Sequence, residues 1–127
     1  MRGLPPYART LGIEPVQLEN ERIYRMPFGD VVLGRPGFLH GGAIAGLLEL
    51  AAIATLLREL DEPSARVKPI NMSVSFMRGG TEQDTFAAAT ITRIGGRVAN
   101  VDAHAWQADR AKPIAAAQLN LLVRRAA

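Results

Sequence analysis

The sequence contains no cysteine and only two histidines. Without cysteine the chain cannot form a disulfide framework, a thiolate nucleophile or a cysteine-ligated zinc site, and two scattered histidines disfavour a histidine metal site. Residues 1–10 lack the apolar run of a signal peptide, so we expect a cytoplasmic protein. The net charge of +3 is too small to indicate a nucleic-acid partner, although the basic residues suit a ligand with phosphate groups.

The length of 127 residues predicts a single domain over residues 1–127, because the sequence shows no linker, internal repeat or low-complexity segment. Residues 38–57 have the length of a membrane span, but His40 and Glu49 lie inside this run and strand-like sequence follows it. A buried central helix explains the run better, so we expect no membrane partner. A chain of this length is short for an enzyme that encloses a cleft alone, which favours an oligomer.

The pattern of apolar residues predicts an α+β domain in which an antiparallel sheet wraps around one long helix, at about residues 41–60. A short helix should end at Gly12, and a glycine-rich loop should lead into the long helix. A two-residue turn at Gly95-Gly96 should join two strands. Such a domain leaves a sheet edge and part of the helix uncovered, so we expect two domains to pair. The predicted strands cover residues 13–18, 22–28, 70–76, 84–94, 97–107 and 114–123.

Glu49 is the one charged residue between Gly41 and Leu57. Burial of a carboxylate is costly and favours the protonated acid, whereas a nearby donor restores the anion. A carboxylate balanced between these two influences suits a general base or a nucleophile. The alternative is a structural glutamate whose charge is satisfied by a partner's arginine or by backbone amides.

Gly41 and Gly42 leave the backbone N–H groups at the start of the helix unshielded, where a thioester carbonyl fits. Fixed amides stabilise the charge that grows on its oxygen as a nucleophile adds to the carbon. The alternative is that glycine only lets the loop pass close to the sheet. Gly42 and Glu49 are about 10 Å apart along one helix, too far for joint action on one carbonyl. We therefore predict a site shared by Gly42 of one subunit and Glu49 of another, across antiparallel helices related by a two-fold axis.

The segment Gly37-Phe38-Leu39-His40-Gly41-Gly42, with a carboxylate nine residues after the histidine, resembles the PaaI-like hotdog thioesterases of phenylacetate catabolism. Residues 6–13, residues 71–78 and Gly95-Gly96-Arg97 are similar to other segments of that family. The resemblance implies a hotdog fold and a homodimer, often paired into a tetramer, that hydrolyses acyl-CoA or aryl-CoA thioesters without a metal or an organic cofactor. It implies that Gly42 binds the thioester carbonyl and that Glu49 is the acidic catalyst.

Two positions depart from the family pattern. Many relatives carry an asparagine six residues before the histidine and a serine or threonine on the strand after the helix, where this chain has Gly34 and Pro69. Gly34 thus lies at the predicted substrate site without the side chain that would hold water or the carbonyl. The acid is glutamate rather than the commoner aspartate, a change of about an ångström in position that can cost about 100-fold in rate. Ser73 or Ser75 is a candidate to replace the lost hydroxyl, although serine is ordinary on an exposed strand face.

His40 is a candidate catalytic base, but at the start of a helix we favour an orienting role, in which its ring forms a hydrogen bond that fixes the glycine loop. Lys68, Arg78 and Arg97 are candidates for binding the CoA phosphates, because cationic side chains bind phosphate oxygens. The alternative for each of the three is a solvated surface position.

Three other functions stay open. A hydratase or dehydratase acting on enoyl-CoA or hydroxyacyl-CoA needs an aspartate and a histidine near the loop, and the sequence places no such pair there. His104 shares a strand face with Asp102 and Trp106, but strand periodicity alone produces such a face, so we expect it to be structural or part of an interface. A non-catalytic acyl-CoA binding or sensing module fits the two departures from the family pattern. A purely structural dimer is the simplest alternative.

Overall fold

A short helix, α1 (Pro6–Leu11), is the first element of the structure, a computed structural model that describes residues 4–125. Gly12 ends α1 with a φ of 72°, the left-handed conformation that glycine adopts without strain. The predicted end of this helix is confirmed. Residues 1–3, which belong to the segment considered for a signal peptide, lie outside the described residues.

The long helix α2 (Gly41–Leu60) forms the centre of the fold and has the predicted bounds. Its buried side chains are leucine, isoleucine and alanine, so apolar packing against the sheet holds it in place. Asp61 closes the helix in the left-handed conformation, two residues before Pro63. Within residues 4–125, neither α1 nor α2 combines the length and the hydropathy that a membrane crossing requires.

Six strands form one antiparallel sheet in the order β1-β2-β4-β5-β6-β3. Helix α2 packs against strands β2 to β6, so the sheet curves around the helix as the sequence predicted. Strand β3 pairs only with β6 and has a free edge within the described residues. The strands are β1 (Glu14–Leu18), β2 (Glu21–Met26), β3 (Arg66–Phe76), β4 (Thr85–Ile94), β5 (Val98–Trp106) and β6 (Ala115–Arg124).

Strand β3 and the β4–β5 turn differ from their predictions in detail. Strand β3 begins at Arg66 rather than at residue 70, because a bulge between Pro69 and Asn71 interrupts the alternation that marks a strand. Proline is tolerated there because β3 is an edge strand. In the turn, the N–H of Gly95 donates to the carbonyl of Val98 at 2.8 Å, so the two-residue tip is Gly96-Arg97 rather than Gly95-Gly96.

The glycine-rich loop before α2 is well structured. After a 3-10 turn (Asp30–Val32), the backbone of Leu33 pairs with that of Leu39, and the N–H of Gly34 donates to the carbonyl of Phe38 at 2.9 Å. Between these pairs, Gly37 has a φ of 88°, which favours glycine. These backbone contacts fix the direction in which the chain enters the first turn of α2.

Candidate active site at the start of helix α2

The first turn of α2 holds a set of backbone hydrogen bonds around His40. The N–H of Gly42 donates to Nδ1 of His40 at 2.8 Å, and the N–H groups of Ala43 and Ile44 donate to the His40 carbonyl at 3.0 and 3.2 Å. Within residues 4–125 the N–H of Gly41 has no acceptor. His40 therefore makes the contact that an orienting role requires, and Gly41 offers the open amide.

Gly42 and Gly34, two of the glycines around His40, lie where a side chain would be too close to His40. A Cβ added to Gly42 would lie 2.9 Å from Nδ1 of His40, and a Cβ added to Gly34 would lie 3.0 Å from the His40 Cα. Gly34 therefore packs its backbone on the backbone of His40, and its lack of a side chain is part of how the loop is built. At Gly41 an added Cβ would lie 3.4 Å from the ring of Phe76, which is ordinary contact.

Glu49 lies two turns further along α2, on the same side of the helix as Gly42. It is half-buried, and within the described residues its carboxylate makes no hydrogen bond or ion pair. No arginine within residues 4–125 pairs with it.

Small residues separate the two predicted halves of the site. Gly46 lets α1 approach, since a Cβ added there would lie 2.9 Å from Cε2 of Tyr7 and 3.1 Å from Cδ1 of Leu11. Ala45, on the other flank of the same helix side, is partly exposed. Because Gly42 and Glu49 remain about 10 Å apart along the axis, one chain does not bring them together.

Ser73 and Ser75 lie on the side of the sheet that faces away from α2. The neighbouring Met72 and Val74 pack against the core, so strand alternation turns the two serines outward. The sheet separates them from Glu49, and this corrects the interpretation that either one replaces the lost hydroxyl beside that carboxylate. They instead line an outer cleft of about 390 Å³ with Thr90, Asp102, His104 and Gln118.

The three predicted phosphate ligands lie near two opposite ends of the sheet. Lys68 pairs with Leu122, which pairs on its other side with Val98 next to Arg97, so Lys68 and Arg97 share one end of the sheet. Arg78 follows the opposite end of β3, about 33 Å from Lys68 along an extended strand. All three side chains are exposed. One chain therefore does not gather them into a single phosphate site.

The outer face of the sheet carries an ion-pair cluster that sequence reasoning missed. Arg110 donates to both carboxylate oxygens of Glu21 at 2.8 Å, lies over the Trp106 ring at 4.4 Å and donates to Nε2 of His104 at 3.2 Å. The hydrogen bond from Arg110 lowers the pKa of Glu21. Burial, followed by the charge of Arg110, lowers the pKa of His104. The shared strand face of His104, Asp102 and Trp106 was predicted, but no sequence signal linked it to Glu21.

Metal ligation finds no ready set of side chains in residues 4–125. No group of three or more histidine, aspartate or glutamate side chains lies close enough there to hold an ion. The first turn of α2 offers backbone amides and an imidazole, and Glu49 offers a carboxylate two turns further along the helix.

Comparison with known proteins gives the family. The family model of the Thioesterase superfamily matches residues 36–114, more than half of the chain. A search of curated proteins gives no match.

Three solved structures have the same fold over nearly the whole chain. A Chromobacterium violaceum protein is 36% identical over 92% of this chain and 82% of its own, with a TM-score of 0.76. A Bacillus halodurans protein solved with CoA is 22% identical over 100% and 83%, with a TM-score of 0.87. A phenylacetic acid degradation-related protein from Ralstonia eutropha is 23% identical over 95% and 92%, with a TM-score of 0.81. These comparisons confirm the predicted hotdog fold and the predicted class of thioester hydrolase, and the chain belongs to the thioesterase superfamily.

Proposed function

We propose that this protein hydrolyses acyl-CoA or aryl-CoA thioesters to the free acid and CoA. The observation that carries the proposal is Glu49, a half-buried carboxylate without a partner in the described residues, on the same side of α2 as the first-turn amides. Superfamily membership supports the reaction class, and the CoA in the Bacillus halodurans structure supports the thiol component. We also propose a cytoplasmic location.

The backbone amides at the start of α2 hold the thioester carbonyl in this mechanism. Gly41 N–H is open, whereas Gly42 N–H donates to His40 in the structure. A substrate carbonyl that binds Gly42 as well must therefore replace the His40 ring as acceptor. The amides act mainly in the transition state, because the carbonyl oxygen gains negative charge as the carbon becomes tetrahedral.

Glu49 promotes attack on the bound carbonyl carbon by one of two routes. As a general base it takes a proton from water while the water oxygen bonds to the carbonyl carbon. As a nucleophile its own oxygen bonds to that carbon, CoA leaves as the thiolate, and water then cleaves the resulting anhydride. In both routes the carbon–sulfur bond breaks, the thiolate takes up a proton, and the carboxylate is regenerated.

A two-fold dimer would bring Gly42 of one subunit to Glu49 of the other. The midpoint between these positions falls next to Ala45, whose small, partly exposed side chain lets two antiparallel helices approach closely. Strand β3 beside them has a free edge, with Ile70 exposed on it. These features favour a homodimer, and we extend the proposal to a dimer of dimers.

The activity is tested by thiol release from a panel of acyl-CoAs and aryl-CoAs. We expect Glu49→Gln and Glu49→Ala to lower kcat on the order of 100- to 10,000-fold, the range for loss of an acid–base group. Glu59→Gln, an exposed change on the same helix, is the matched control and should keep wild-type rates. Undiminished release in both Glu49 variants would remove this residue from the mechanism. CoA binding without turnover by the wild type would favour the sensing module.

The shared site is tested with a heterodimer of two differently tagged chains, one with Gly42→Ala and the other with Glu49→Gln. A shared site leaves one intact site and one doubly changed site in each heterodimer, so activity should recover to about half that of the wild-type dimer. If both halves of a site lie in one chain, neither site is intact and activity stays low. A fully active monomer would also contradict the proposal.

A further inference from the structure

We infer that a cleft beside the C-terminal half of α2 binds the acyl chain, and that the preferred substrate carries an unbranched, uncharged chain of about ten to fourteen carbons. This inference rests on the proposed function, because it needs the reacting carbonyl beside Glu49. It adds the chemical class and the length of the acyl group.

The cleft is lined by residues of α2 that follow Glu49 in sequence, beginning at Leu50, the residue after Glu49. Ile53 also lines it and lies about 40° around the helix axis from Glu49 by helical geometry. The cleft has a volume of about 600 Å³, within the range of small-molecule sites. Its apolar wall consists of Leu4, Pro5, Leu50, Ile53, Ala54 and Leu57.

The charges around the cleft give no preference for a charged acyl end. Two cations and two anions line it together, Arg22 and Arg58 with Asp61 and Glu62, so their charges balance. Tyr24 also lines the cleft, but burial raises the pKa of this phenol and keeps it neutral. An ω-carboxylate placed here would lose its hydration without gaining a net attraction.

The length of the cleft sets the length of the chain. Its α2 wall runs from Leu50 to Arg58 and continues to Asp61 at the helix end, a rise of about 16 Å. An extended chain advances about 1.2 Å per bond, as three backbone bonds advance about 3.5 Å, so roughly 13 bonds fill the wall. Aryl groups fill only the part nearest Glu49.

The first measurement is the kcat/KM of the wild type for unbranched acyl-CoAs from two to eighteen carbons, with phenylacetyl-CoA and an ω-carboxylated twelve-carbon acyl-CoA. We expect kcat/KM to rise about fourfold per methylene up to about twelve carbons and then to level off. The ω-carboxylated substrate should react at least about tenfold more slowly than the uncharged chain of equal length.

Two substitutions then serve as markers along the cleft. Ala54→Phe blocks it about 7.5 Å beyond Glu49, and Leu57→Trp blocks it about 12 Å beyond, so the preferred chain should shorten to about six and about ten carbons respectively. Far-UV circular dichroism of both variants should match that of the wild type, which shows that they fold. Ala108→Phe adds the same side chain at an exposed turn and should keep the wild-type length preference.

The two possible failures are distinguishable. Thiol release that does not depend on chain length, or an unchanged preference in both cleft variants, would overturn this inference and leave the proposed hydrolysis standing. A preference for phenylacetyl-CoA or for the ω-carboxylated chain over the uncharged twelve-carbon chain would also overturn it. Absence of thiol release from every substrate would instead overturn the proposed function, and the inference with it.

Discussion

Glu21 and Glu49 lie on opposite sides of the sheet and have opposite surroundings. Glu21, on the outer side, accepts two hydrogen bonds at 2.8 Å from Arg110, whose guanidinium also lies over Trp106. Glu49, on the helix side, is half-buried and makes no hydrogen bond or ion pair within the described residues. The outer carboxylate forms an ion pair that stabilises the fold. The inner carboxylate has no such pair and remains available for catalysis, at some cost in stability. The comparison predicts that changes on the helix side act on catalysis and that changes on the outer side act on stability.

The largest expected effect outside Glu49 lies at the start of α2. In Gly42→Ala the new Cβ would lie 2.9 Å from Nδ1 of His40, so the ring or the loop must shift together with the amide that faces the substrate. We expect kcat/KM to fall on the order of 100-fold, the cost of misplacing one transition-state donor. Steady-state kinetics on purified protein would measure it.

The matched control for this prediction is Gly96→Ala, because a Cβ at Gly96 meets nothing within 4 Å. It should change neither the rate nor the stability measurably. Equal rates for the Gly42 and Gly96 variants would break the comparison, since the helix side would then tolerate change as well as an exposed turn does.

A second prediction tests the orienting role of His40. His40→Ala removes the acceptor for the Gly42 amide and should lower the free energy of unfolding by about 1 kcal/mol, the usual cost of losing a helix cap. His40→Asn should restore most of this stability, because asparagine caps helices well. Chemical denaturation measures both variants. If alanine and asparagine destabilise equally, the ring hydrogen bond does not cap the helix.

The order of elements and the bounds of α2 were predictable because they depend on local sequence. A continuous apolar run that ends near Pro63 gave the helix, and alternation gave the strands. Glu49 was singled out because an unpaired carboxylate in such a run is costly, and that argument needs no structure. The close approach of α1 to Gly46, by contrast, depends on contacts that only the fold supplies.

Two parts of the molecule resisted prediction for physical reasons. The bulge between Pro69 and Asn71 shifts the phase of β3, so the start of that strand was missed. The alternation beyond the bulge already indicated that Ser73 and Ser75 face outward, which is the wrong side of the sheet for a hydroxyl beside Glu49. The contact between Glu21 and Arg110 joins positions 89 residues apart, and no local pattern reports such a pair.

A third prediction compares the two carboxylates directly. Glu21→Gln removes a partly exposed bidentate ion pair and should lower the free energy of unfolding by about 0.5 kcal/mol. Glu49→Gln removes no such pair and should leave stability unchanged or slightly raised. Thermal and urea unfolding of the two variants, measured together at pH 7.5, would test this. A larger loss in Glu49→Gln would indicate that the helix carboxylate is structural.

The smallest expected effect is the dependence of stability on pH, which belongs to the outer side. Burial and the charge of Arg110 lower the pKa of His104, so below about pH 6.5 the unfolded chain binds a proton that the folded chain does not. The free energy of unfolding should therefore fall as the pH drops from 7.5 to 5.5. Glu21 adds nothing in this window, because its pKa is also lowered and its contribution is lost only at more acidic pH.

His104→Gln should reduce the drop in the free energy of unfolding, whereas Thr90→Ala, on the same face without a titratable group, should keep it. An equal drop in His104→Gln would place the proton uptake elsewhere and leave the outer cluster without a role in pH-dependent stability.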